Sequence, residues 1–168
     1  MMTRSDTMKK IGVLCVVVLM LVSLCGCGGK GETGPEPGTP LDTFYQAILA
    51  AQPEGAEELI LFEESAPDLI ANFYPGLDRI ELSQQVFYMP PIVTHPCEIV
   101  LVEVKQSEDV QTVMDIFQAR IDLGADNTAY PESAAGWQQY AQVQNSGNFV
   151  CMIVLPKGYV IPENVFAP

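Results

Sequence analysis

The spacing of apolar positions changes several times along this chain, and each change marks a candidate element. Ile11 to Cys25 is a uniformly apolar block broken only by Ser23. From Leu41 the spacing becomes helical: Leu41, Phe44, Tyr45 and Ile48 recur on one face, and the pattern stops near Ala51, before Pro53 and Gly55. Thr39 is placed as N-cap and Pro40 as first helical residue. Pro67 opens a second, short helix that ends before Pro75 and Gly76. "RIELSQQVFYM" (79–89) reads as a strand closed by Pro90 and Pro91. "CEIVLVEVK" (97–105) is almost continuous in Ile, Val and Leu, which predicts a central strand covered on both faces.

A helical period returns after Ser107, the expected cap. Val110, Val113, Met114, Phe117 and Ile121 form one stripe over 107–123, and Gly124 is the expected stop. An acidic connection, "DLGADNTAYPES", leads to a short helix around Trp137. "YAQVQNSGNFVCMIVLP" reads as a hairpin turning at Asn145 to Asn148. With the short helix around Trp137 left aside, the order α, α, β, β, α, β, β predicts an α+β fold. Its expected form is a two-layer ββαββ core, an antiparallel sheet of about four strands packed on helices.

Position turns the first apolar block into an address. Fifteen residues reach roughly 22 Å as a helix, short of the ~30 Å hydrocarbon core, which argues against a membrane span. Arg4, Lys9 and Lys10 precede it as in an export signal, and Met8 is an alternative start. Two cysteines follow. Leu24 stands before Cys25, whereas Leu24-Cys25-Gly26 stands before Cys27 and resembles the lipobox of bacterial lipoproteins. The resemblance implies that residues 1–26 are removed and that Cys27 carries a diacylglyceryl group, two chains that hold a lipid bilayer stably where one would not. Gly28 to Pro40 contains five glycines, three prolines and no apolar side chain, so 27–40 is expected to be a disordered tether. Residues 41–168 then form one domain. This places the protein on the outer face of a cell membrane.

Charge narrows the partners. The chain has 21 acidic and 8 basic residues, a formal charge of −13, and loss of the signal removes three cations and one acid. So acidic a domain repels nucleic acid and anionic headgroups. Export permits a disulfide between Cys97 and Cys151, but each lies in an apolar run where a thiol serves equally as a small hydrophobe.

Catalytic patterns are thin. His95 is the single histidine, too few for a zinc set even with Cys97 nearby. Asp122, Asp126, Asn127 and Glu132 crowd one loop without the alternating spacing of a calcium loop. Glu57, Glu58, Glu63 and Glu64 read as a solvated face. Arg120 reads as a helix-end cation, or as a partner for a neighbouring carboxylate or an anionic ligand. No cofactor or metal is expected. The most suggestive feature is the pair Phe73-Tyr74-Pro75 and Phe87-Tyr88-Met89-Pro90, in which Tyr74 and Tyr88 are a candidate binding patch for a peptide, a glycan or an envelope protein.

"FYPGLDRIELSQQVFYMPP", "CEIVLVEVKQSEDVQTVMDIFQARID" and "GNFVCMIVLP" together resemble an exported domain-of-unknown-function family, number four-three-five-eight, over roughly Leu41 to Pro156. The resemblance implies a small Gram-positive lipoprotein, and it carries no catalytic residue with it. The expected function is a non-catalytic binding or interaction module. An accessory subunit of an envelope complex and a carboxylate-dependent hydrolase of envelope polymers are the alternatives.

Overall fold

A computed structural model describes residues 34–92 and 95–167. Cys25, Cys27 and the first part of the tether lie outside the described residues. The chain runs α1 (Leu41–Ala50), β1 (Phe62–Glu63), α2 (Pro67–Phe73), a 3-10 turn (Leu77–Arg79), β2 (Leu82–Met89) and β3 (Glu98–Val104). A second 3-10 turn (Ser107–Asp109) then leads into α3 (Val110–Ala125), α4 (Pro131–Tyr140), β4 (Ala141–Ser146) and β5 (Phe149–Val154).

The α+β class and the antiparallel sheet stand as read from the sequence. The strands lie in the order β1-β2-β3-β5-β4, every neighbouring pair antiparallel. The hydrophobic run of β3 lies at the centre and is buried throughout, as is β5. Alternation sends Val100, Val102 and Val104 toward one face with Val150, Met152 and Val154, and Ile99 and Leu101 toward the other with Cys151 and Ile153.

The structure adds a short fifth strand, β1, and a second covering layer. α2, α3 and α4 pack on the first face. Leu41, Phe44 and Ile48 of α1, with Val165 and Phe166 near the C-terminus, cover the second. The expected two layers are therefore three, because both faces of β3 and β5 are apolar and each needs cover. Phe44 meets Phe149 and Phe166 edge to face, with centroids 5.4 and 5.0 Å away, and those two rings lie tilted to each other at 5.9 Å.

Several local expectations are corrected. The end of the tether is docked: the Gly38 N–H donates to Glu103 Oε1 at 2.9 Å, and Gln84 Nε2 donates to the Thr39 carbonyl at 3.0 Å. Thr39 does not cap α1; its hydroxyl donates to the Glu36 carbonyl. Ser107 opens a 3-10 turn and makes no cap hydrogen bond. β2 begins at Leu82, with a register irregularity between Leu82 and Gln84, because 77–79 is taken by the 3-10 turn. Gly124 does not stop α3. It lies inside the helix, where a Cβ would stand 2.4 Å from the Trp137 ring, so its lack of a side chain lets α3 approach α4. The hairpin turns at Gly147, whose φ of 56° suits the first position of a tight hairpin turn.

Candidate functional site

The proposed tyrosine patch does not form. Tyr74 is fully buried among the helices, 5.3 Å from the Phe87 ring and 5.7 Å from Phe117. Tyr88 belongs to the opposite face of the sheet, half-buried and stacked on Tyr45 at 3.7 Å. Phe87 and Tyr88 do alternate as neighbours in a strand must. The burial of Tyr74 is what breaks the patch, since its ring closes the gap between α2 and the sheet.

The Tyr74 hydroxyl instead donates to Glu98 Oε1. Arg120 Nη2 donates to Glu98 Oε2 at 2.7 Å, and both side chains are almost wholly buried. The guanidinium lies 4.4 Å from the Trp137 ring centroid and 4.8 Å from that of Phe73, a desolvated cation between two aromatic faces. Burial pushes the Glu98 carboxyl above its ordinary value, opposed by the charge and hydrogen bond of Arg120. Arg120 is thus the partner of a carboxylate, and neither a helix-end cation nor a ligand-facing one. The sequence signal was present: Arg120 falls on the Val113, Phe117, Ile121 stripe, and Glu98 stands in an otherwise apolar strand.

Cys97 and Cys151 are both free and buried. Leu101 pairs with Cys151, which places Cys97 four residues along the adjacent strand. At about 3.3 Å per residue that offset is roughly 13 Å, far beyond disulfide reach. Burial pushes the Cys97 thiol up to about 11 and that of Cys151 to about 12. The hydrogen bond between Cys97 and His95 is a backbone one, the Cys97 N–H donating to the His95 carbonyl at 2.9 Å. Asp122 accepts from Gln118 and the Asn127 side chain from the Ala129 N–H, local bonds along the helix and loop. Among the described residues no three His, Cys, Asp or Glu side chains are grouped to hold a metal.

Open surface chemistry gathers at one end of the sheet. Three connections meet there: the segment before β1, the proline turn after β2 and the chain after β5. They enclose a mainly apolar cleft of about 280 Å³ lined by Leu59, Ile60, Pro91, Ile92, Cys97 and Tyr159, with Glu58 and His95 at its polar margin. The Tyr159 hydroxyl donates to the Glu57 carbonyl, and Gln52 exchanges hydrogen bonds with both backbone groups of Val160, so the walls are tied together. Ile60 is 66% exposed, Phe62 60%, Ile92 55% and Val160 45%, all from these connections or the strand beside them. His95 also borders a second cleft of about 430 Å³ with Tyr130, Glu132 and Ser133.

Of the sequence candidates, Glu58, His95 and Cys97 border this cleft, but its apolar walls come from short runs on three connections that carry no period of their own. No helix among the described residues is long and apolar enough to cross a membrane. Comparison with known proteins finds no match among curated proteins or solved structures. A family model does match, over residues 62–155, which takes in all five strands and leaves α1 outside, a narrower span than the resemblance suggested. On that match the chain belongs to the family described as domain of unknown function DUF4358.

Proposed function

We propose that this protein is a lipid-anchored binding module on the outer face of the cell membrane, with the apolar cleft as its ligand site. The anchor reading rests on sequence: a charged start, a short apolar block and the glycine that precedes Cys27. The binding reading rests on one observation, the convergence of exposed Ile60 and Ile92 on a cleft whose walls are hydrogen-bonded to each other. Contiguous exposed apolar surface around a pre-formed concavity is the usual mark of a contact site.

Both halves are open to test. Metabolic labelling with a palmitate analogue is expected to mark the protein, with the label lost in Cys27→Ser and kept in Cys25→Ser. Label persisting in Cys27→Ser would overturn the assigned anchor. An environment-sensitive apolar dye is expected to brighten on the wild-type protein and to lose most of that signal in Ile60→Ser/Ile92→Ser. Equal signal from both proteins would remove the cleft as the site.

A further inference from the structure

The strand beside the cleft narrows what the ligand is. β1 pairs with β2 alone, and its other edge is open among the described residues. Glu64 N–H donates into the sheet to Phe87 O at 2.7 Å. By the alternation of an antiparallel ladder, the N–H and C=O of the preceding Glu63 therefore point outward. The opposite edge of the sheet differs. β4 carries Gln142, Gln144, Asn145 and Ser146, and the Gln144 amide is committed to the C-terminal segment, donating to Pro162 O and accepting from Val165 N–H. Polar side chains and a covering segment guard that edge. β1 is short and carries the charge of Glu63, but among the described residues no strand pairs with its outer side, which shows Phe62 and, two residues earlier, Ile60.

Charge on this side is one-sided. Glu54, Glu57, Glu58, Glu63 and Glu64 lie between 54 and 64 with no lysine or arginine among them, and Lys157 is the one such cation on the segments that line the cleft. Phe62 and Glu63 project to opposite faces, opposite Met89 and Tyr88 respectively. A strand laid against β1 would meet an apolar position and an acidic position in alternation. Cross-strand partners that suit them are an apolar side chain beside Phe62 and a basic one beside Glu63.

We propose that this surface binds an extended polypeptide segment in which basic and apolar side chains alternate, paired along the open edge of β1 with one apolar side chain in the cleft. The inference rests on the reading of the cleft as a ligand site and adds the chemical class of the ligand. A second copy of the chain, at a formal charge of −13, and an anionic lipid surface are both repelled. Strand addition supplies affinity through main-chain hydrogen bonds and specificity through alternate side chains.

The test uses the full chain in a non-ionic detergent and fluorescence anisotropy with three dye-labelled peptides: alternating Lys/Val, alternating Glu/Val and alternating Lys/Ser. The Lys/Val peptide is expected to bind, and the other two at least about tenfold more weakly. Ile60→Ser and Glu63→Lys, both exposed positions, are each expected to weaken it about tenfold, while Gln142→Lys on the opposite edge leaves it unchanged. Equal or tighter binding of Glu/Val would overturn the ligand class. Lys/Val binding indifferent to Ile60→Ser and Glu63→Lys would overturn the surface. If no peptide binds while the apolar dye still reports the cleft, the peptide proposal falls and the ligand site stands. If the dye also fails, both fall together.

Discussion

Glu98 opens β3 and Arg120 lies within α3, yet their side chains meet at 2.7 Å in a region closed to solvent. The pair links sheet to helix, and Tyr74 joins it from the end of α2. A buried ion pair adds little over a well-packed apolar pair, but removing one partner strands a charge. Arg120→Met is therefore expected to cost about 3–5 kcal/mol in urea unfolding. Arg120→Met/Glu98→Leu is expected to lose less than that single change, because no charge is left behind. A cost below about 1 kcal/mol for the single variant would mean that water reaches Glu98.

The helix pair α3–α4 sets two effects of opposite sign against each other. Gly124 lies inside α3, where alanine is favoured over glycine by about 1 kcal/mol. The added Cβ, however, would fall 2.4 Å from Cδ2 and 2.6 Å from Cγ of Trp137, a rigid ring that also packs on Arg120. Overpacking of that kind costs about 1–3 kcal/mol, so the clash wins. Gly124→Ala is expected to lower the unfolding midpoint, with a change in Trp137 fluorescence. A rise in the midpoint would show that the two helices separate easily.

The two tyrosines are expected to part company in stability. Tyr74→Ala removes a fully buried ring and a hydrogen bond to Glu98, and is expected to cost about 3–5 kcal/mol. Tyr88→Ala loses a half-exposed ring stacked on Tyr45, with an expected cost of about 1 kcal/mol. Equal losses in denaturant melts would contradict the placement of the two rings on opposite faces.

What could be read from sequence follows from where the controlling interactions are local. The continuous apolar run of β3 announced a central strand, and the stripe through Phe117 announced a buried helix face. Neither depends on distant partners. Tyr74 failed because a tyrosine beside a proline looks the same whether its hydroxyl meets water or Glu98, and that carboxylate is 24 residues away. Gly124 failed because a glycine near a helix end signals a stop and a close approach alike; only the position of Trp137 decides. The end of the tether was misread for a related reason. Its composition can bury nothing, but backbone groups such as the Gly38 N–H can still be held by a buried glutamate from the sheet. The apolar cleft was illegible because short apolar runs on separate connections carry no period of their own.

The two buried thiols link stability to alkaline pH. An ordinary thiol ionises near 9, whereas burial raises Cys97 to about 11 and Cys151 to about 12. Between those values the unfolded chain sheds protons that the folded chain keeps. Stability from the thiols is thus complete below about pH 9 and declines as pH rises toward the folded values, with a limiting slope of about 1.4 kcal/mol per pH unit for each thiol. Tyr45 and Tyr88, whose values burial also raises, act in the same direction. The measurement is therefore a comparison: urea midpoints across this alkaline range for the wild type and for Cys97→Ala/Cys151→Ala. Removing Cys97 also removes the part of the Tyr45 rise that comes from the Cys97 charge, which acts in the same direction, so the wild type is expected to lose stability more steeply. Parallel slopes would mean that the thiols ionise alike in the folded and unfolded chains, and that water reaches the face of the sheet beneath α1.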